Sequence, residues 1–211
     1  FDKSMKTYDG LKELKKEFNR LGITILTTVN AKNQYKIMDI YNYMKNNLTE
    51  AVFSVNLVRG GPLNPEIADV DIKQYELITK AIIDDYRNNS RFNKNASLAK
   101  ISAAKNVIRD DVIAETYKNK EFISQCYAAQ LSGVMYENGD IFCCELLNKK
   151  IGNVKDYDYD FGKLWTSDKA TEIIKFIKDT KCFCTHECFW TTNILFNPRY
   201  YPRLLVESAR L

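Results

Sequence analysis

Six cysteines, at positions 126, 143, 144, 182, 184 and 188, are the residues of this 211-residue chain whose type and spacing suit chemistry. The first 125 residues contain none. Cys182-Phe-Cys184-Thr-His-Glu-Cys188 places three thiols within seven residues, and Cys126 is followed by twelve residues, Gly139, four more residues and Cys144. Between them, Gly133-Val-Met-Tyr136 and Ile141-Phe-Cys143 flank Glu137-Asn138-Gly139-Asp140. Asn-Gly between two short apolar runs predicts a β-hairpin. A hairpin brings its strand ends together, so a cysteine before the first strand can meet one at the end of the second. Four thiolates gathered from distant segments suit an iron–sulfur cluster or zinc. Such a site also supplies folding free energy to a domain with a thin apolar core. Cys143 and Cys144 are neighbours and point to opposite faces of a strand. The spacing after Gly139 favours Cys144 as the ligand and leaves Cys143 as a small buried hydrophobe.

Three further positions qualify. His186, the only histidine, lies between two cysteines, where it binds metal or donates to a cluster sulfur; with no base partner in view it is not a catalytic residue. Asn30 and Arg59 follow two predicted strands. Asn30, with Asn33, either caps the next helix and shapes a turn or contacts a ligand. Arg59, beside Gly60 and Gly61, is placed to hold a carboxylate or phosphate.

The elements that would position these residues fall into two halves. Met5, Tyr8, Leu11, Leu14, Phe18 and Leu21 form the apolar stripe of a helix over residues 4–21, with Gly22 as its closing residue. Residues 23–29 read as a buried strand, Ile37, Tyr41, Met44 and Leu48 mark a helix, and residues 51–58 read as a second strand. The Gly- and Pro-rich stretch 59–65 breaks the pattern, and a helix with Tyr75, Ile78, Ile82 and Tyr86 on one face follows. This alternation implies right-handed crossovers and a parallel sheet, whose ligands collect at the C-terminal strand ends. Residues 88–97 are polar and turn-prone and separate two parts. A helix over residues 96–119 follows, with phase slips near Arg109-Asp110-Asp111 that predict a break. Ser167 N-caps the last regular helix, with Ala170, Ile173, Ile174 and Ile177 facing inward. The tail from Asn197 either packs back or extends to a partner.

Cys126-x12-Gly139-x4-Cys144, Ile151-Gly152-Asn153-Val154, Trp165 before a helix and Cys184-x3-Cys188 together resemble the twitch or SPASM auxiliary domain that follows radical S-adenosylmethionine (SAM) barrels. Thr27-Thr-Val-Asn-Ala-Lys-Asn33 is similar to a strand end in the second half of that partial barrel. The resemblance implies an α/β chain in which residues 1–95 are the C-terminal portion of an incomplete parallel (β/α) barrel. Residues 96–120 would be a connecting helix, and residues 121–211 a small α+β cysteine-rich iron–sulfur domain with a β-hairpin. It implies an auxiliary 4Fe-4S cluster held by Cys126, Cys144, Cys184 and Cys188, with Cys182 as the substitute for one of the last pair. The cluster would move an electron or anchor substrate. With six cysteines rather than the seven of a full SPASM domain, the single-cluster twitch form is implied. In a full-length parent the resemblance implies SAM, a second 4Fe-4S cluster and a 5′-deoxyadenosyl radical that takes hydrogen from a small-molecule or peptide substrate. It also implies a reducing partner such as a flavodoxin or ferredoxin, with Asn30 and Arg59 contacting SAM. The triplet Cys-x3-Cys-x2-Cys that holds the SAM cluster is missing, so this chain alone is expected to be inactive.

The remaining composition is that of a globular protein, 45% apolar and 27% charged with a formal charge of +4. Its basic residues are interspersed with acidic ones, as a solvated face would be, which speaks against nucleic-acid binding. No apolar run is long enough to span a membrane. The chain opens on Phe1-Asp2-Lys3-Ser4, without Met or a leader, and reads as a cytoplasmic fragment or processed piece. Three rival readings stand beside the cluster enzyme: a non-catalytic zinc-stabilised module, an iron–sulfur electron carrier, and a disulfide-stapled secreted domain. Cys-x-Cys-x3-Cys is not a usual zinc-finger spacing.

Overall fold

The computed structural model describes residues 1–88 and 97–211, so most of the expected separator at 88–97 lies outside the described residues. The chain is mixed α/β with two small sheets, and the strands close no barrel among the described residues. It divides into two compact units, residues 1–88 and 89–211.

In the first unit, helix α1 (Asp2–Glu17) precedes strand β1 (Ile23–Val29), helix α2 (Ile37–Asn47), strand β2 (Ala51–Leu57) and helix α3 (Ile72–Asn88). The strands pair in parallel from Ile23↔Ala51 to Val29↔Leu57. Tyr8 of α1 and Leu48 bury against Ile23, with Met44 and Ile25 beside them. The other face of the pair is open. Leu26 is 55% exposed and Val52 43%, which corrects the expectation of a strand buried on both faces. Only one layer of helices covers the sheet, so side chains alternate between core and surface. Gly22 does not close α1 either. The chain leaves the helix at Phe18 (φ −114°, ψ 83°), whose N–H still donates to the Leu14 carbonyl. Phe18 is exposed and has no core to extend the stripe onto. The Gly- and Pro-rich stretch is irregular as expected, with Gly60 at φ 72° and one 3₁₀ turn at Pro65–Ala68 capped by the Asn64 side chain.

In the second unit, helix α4 (Ser97–Asn119) runs without a break. It packs against α7 (Glu187–Phe196) and α8 (Tyr201–Arg210). Ala103, Ala104, Val107, Ile108, Val112, Ile113 and Ala114 are all buried. A helix covered by two others needs two apolar faces, and the phase slip near Arg109 is the passage from one to the other. Strands β3 (Val134–Met135), β4 (Asp140–Phe142) and β5 (Lys150–Asn153) form an antiparallel sheet in that order. The predicted hairpin is β3–β4, with Gly139 at φ 93° in its turn. The Asn153 amide donates to the Asn138 carbonyl at 3.2 Å and to Asp140 Oδ1 at 2.7 Å, latching the third strand onto the turn. Helix α5 (Phe161–Trp165) leads to α6 (Asp168–Asp179). Ser167 caps α6 by accepting from the Ala170 N–H at 3.2 Å, and Ala170, Ile173 and Ile177 are buried. Helix α6 is not the last. Helices α7 and α8 follow it, and α8 folds the tail back onto α4. No helix among the described residues is long and apolar enough to cross a membrane.

Candidate functional site

Four of the cysteines converge. Cys126, Cys144, Cys182 and Cys184 line one cavity of about 160 Å³ in the second unit, whose wall includes Ile177 and Phe189. All six cysteines are free thiols, none in a disulfide.

Each of the four arrives on a segment held by its own contacts. The Cys126 segment follows α4 and is pinned to the C-terminal helices by three bonds. The Tyr127 N–H donates to Asn193 Oδ1 at 2.9 Å. Arg199 Nη1 donates to the Ile123 carbonyl at 2.7 Å, and the Tyr200 hydroxyl meets Ser124 Oγ at 3.0 Å. Cys144 ends the hairpin in a tight turn whose Leu147 N–H donates to its Sγ at 3.2 Å. Cys182 follows the left-handed residue Lys181 (φ 49°), and its N–H donates back to the Ile177 carbonyl at 3.0 Å. That is a Schellman-type helix ending, which turns the chain sharply toward the cavity. The Cys184 carbonyl accepts from Trp190 Nε1 at 2.8 Å.

The thiols feel one another. Burial pushes Cys184 up to about 12 and Cys182 up to about 11, and in both the negative charge of Cys126 and Cys144 adds to the rise. Burial also raises Cys126, opposed by the Ala128 N–H and the Asn193 side chain. Cys144 goes the other way. The Cys143 thiol donates to its sulfur and, with the N–H groups of Leu147 and Leu146, holds it below the usual thiol range. The N–H groups two positions on, of Ala128, Leu146 and His186, thus lie where they favour the thiolates of Cys126, Cys144 and Cys184. Such N–H groups stabilise thiolate over thiol. Several thiolates crowded in an apolar cavity repel one another unless a positive centre lies between them. Among the described residues, no three His, Cys, Asp or Glu side chains stand close enough to hold a single metal ion.

The predicted ligand set is only partly brought together. Cys126, Cys144 and Cys184 share the cavity, but Cys188 does not line it. Cys188 is exposed in the first turn of α7 and interacts electrostatically with Lys105 of α4. Cys182, the substitute in the sequence reading, is the fourth thiol at the cavity. Cys143 is fully buried in the core beside Ile141 and Ile151, as a small hydrophobe. His186, only 2% exposed, lines the cavity and bonds Glu145 Oε2 through Nε2 at 2.8 Å.

Asn30 and Arg59 lie after the C-terminal ends of β1 and β2, the same end of the parallel pair. The Asn30 side chain is committed to its own turn. Its Oδ1 accepts from the Lys32 N–H at 2.9 Å, and its Nδ2 donates to the Thr28 carbonyl at 3.1 Å. Arg59 is half-buried.

Sequence reasoning missed Asn193, Glu145 and Trp190. Asn193 is 66 residues from its partner Tyr127, and Glu145 is 41 from His186. The one signal was Glu145 directly after the cysteine doublet. No family model matches the chain, and neither a curated protein nor a solved structure matches it.

Proposed function

We propose that the second unit is an auxiliary iron–sulfur domain whose 4Fe-4S cluster is held by Cys126, Cys144, Cys182 and Cys184. The supporting observation is the convergence of these four thiols on one apolar cavity, with backbone N–H groups aimed at three of the sulfurs. A cavity of about 160 Å³ exceeds by an order of magnitude the roughly 10–15 Å³ that one water-sized occupant needs. One zinc at about 2.3 Å from each thiolate would bring the sulfurs to roughly 3.8 Å from one another. The cavity between the four thiols is larger than that single ion requires, which is the reason for reading a polynuclear cluster there.

When bound, the cluster supplies one-electron transfer. The chain's own residues prepare for it. The N–H groups of Ala128, Leu146 and His186 stabilise thiolates, and Asn193 and Trp190 fix two ligand segments through hydrogen bonds. Ile177 and Phe189 give the cavity wall apolar surface.

In this reading the chain is part of a radical SAM enzyme of the cytoplasm. The first unit is the C-terminal portion of an incomplete barrel. Its parallel strand pair supports that placement, as does the position of Asn30 and Arg59 at one strand end. SAM, a second 4Fe-4S cluster, a small-molecule or peptide substrate and a flavodoxin or ferredoxin reductant belong to the full-length parent.

The test is iron and zinc content with an ultraviolet–visible spectrum, on protein purified and reconstituted without oxygen. About four irons per chain with broad charge-transfer absorption are expected for one cluster. One zinc and no colour would replace the cluster by a structural metal and leave the radical SAM assignment without its main support.

A further inference from the structure

The four thiols at the cavity are not equivalent. Cys144 accepts the Leu147 N–H on sulfur at 3.2 Å, and the N–H groups of Ala128 and His186 lie where they favour the thiolates of Cys126 and Cys184. Among the described residues, Cys182 receives none and has only burial and its thiolate neighbours acting on it. A sulfur with no N–H to share its charge is the weakest of the four as a fixed thiolate ligand.

His186 stands at the same cavity with a bond to spare. Its ring is 2% exposed and packs edge-on against Phe189 at 5.0 Å between centroids. Nε2 is held by Glu145 at 2.8 Å, while Nδ1 is buried with no hydrogen-bond partner among the described residues. A carboxylate accepting from one ring nitrogen fixes the tautomer in which the other nitrogen carries a lone pair. This carboxylate–histidine arrangement is how metal-binding imidazoles are oriented and made more basic. A buried lone pair without a partner carries a desolvation cost that a metal would remove. Glu145 directly follows Cys144 and His186 lies two residues after Cys184, so the pair also ties two ligand segments together.

We infer that His186 is a metal donor through Nδ1, sharing the fourth position of the cluster with Cys182 while Cys126, Cys144 and Cys184 hold the other three. This rests on the cluster reading above. In the exchange, the iron–sulfur bond of Cys182 gives way to an iron–nitrogen bond, and the freed thiolate takes a proton from water. No electron is transferred. Replacing a thiolate by neutral imidazole removes one negative charge from the cluster's surroundings and raises its reduction potential.

The test uses the full chain, reconstituted with iron and sulfide without oxygen, as wild type, Cys182→Ala, Cys182→Ala/His186→Ala and Cys182→Ala/Glu145→Gln. Pulsed electron paramagnetic resonance of the reduced protein reads nitrogen coupled to the cluster, and iron analysis reads its nuclearity. Cys182→Ala is expected to keep about four irons, to show a strongly coupled ¹⁴N and to have a higher potential than wild type. The double variant without His186 is expected to lose that coupling and fall to about three irons. The variant carrying Glu145→Gln should keep the nitrogen but hold iron less tightly against a chelator. Iron in wild type with no ¹⁴N coupling in Cys182→Ala would overturn the histidine donor alone. So would equal iron in Cys182→Ala with and without His186. Absence of iron from wild type would overturn the cluster reading, and the histidine proposal with it.

Discussion

Asn193 holds two parts of the cavity wall with one side chain, and replacing it separates their energies. Its Oδ1 accepts the Tyr127 N–H at 2.9 Å, and its side chain also donates to the sulfur of Cys126. The residue is 3% exposed. Asn193→Leu keeps about the same volume and removes both bonds, whereas Asn193→Ala also opens a cavity. Stranding the Tyr127 N–H costs about 2 kcal/mol, the middle of the range for a buried unsatisfied group. For a unit of this size that lowers Tm by roughly 8 °C. Losing the donor to a thiolate costs about 1.5–3 kcal/mol more in the metal-bound state, or roughly a tenfold or greater loss of metal affinity.

The sign with pH follows from the thiol. Burial already raises Cys126, and without Asn193 it rises further. Protons then compete harder for the sulfur, so the affinity deficit is greatest on the acidic side and shrinks as pH rises. Thermal unfolding of the metal-free protein measures the first quantity, and chelator competition at several pH values measures the second. An Asn193→Leu protein that unfolds within 0.5 °C of wild type and holds metal equally well at every pH would refute the clamp, and with it the argument that α7 organises the Cys126 segment.

Three further outcomes are expected. Gly133→Ala should destabilise the second unit by about 1–3 kcal/mol, because a Cβ there meets Trp165 Cη2 at 2.7 Å and the Phe142 carbonyl at 2.9 Å; an unshifted tryptophan-fluorescence melt would count against this packing. Asp110 is buried and raised from 3.8 to about 6, burial outweighing the Arg109 guanidinium, so the stability it contributes is complete below about pH 4 and is lost as pH rises through 6. Two pH units correspond to about 3 kcal/mol, and Asp110→Asn should flatten that slope in denaturant midpoints; an unchanged slope places the titration elsewhere. Cys188→Ser should leave iron stoichiometry at the wild-type value while Cys126→Ser lowers it; loss of iron in Cys188→Ser would return that thiol to the ligand set.

Much of the fold depends on local signals and was legible in the sequence. The two parallel strands, the hairpin around Asn138-Gly139 and the Ser167 cap each follow from residues within a few positions of one another. The burial of Cys143 was legible as well, but not through the alternation of a strand: β4 ends at Phe142, and the Cys143 thiol reaches the sulfur of Cys144, which lines the cavity. Helix α4 was legible as a helix but not as an unbroken one, because its two apolar faces make sense only once α7 and α8 cover both. Helix α7 itself was missed. Its buried Phe189, Trp190 and Ile194 share one face, but Cys188 and Leu195 put apolar residues on the opposite face, so the sequence shows no single stripe.

The choice among the last three cysteines was decided by tertiary structure alone. Lys181 in the left-handed region swings Cys182 back to the Ile177 carbonyl and toward the cavity, whereas α7 begins at Glu187 and carries Cys188 outward beside Lys105. Spacing treats the two thiols alike, and only the end of one helix and the start of the next tell them apart. The partners that shape the cavity, Asn193 with Tyr127 and Glu145 with His186, are 66 and 41 residues apart. Bonds of that length leave no periodicity for a sequence to display, because they form only after packing has brought the segments together.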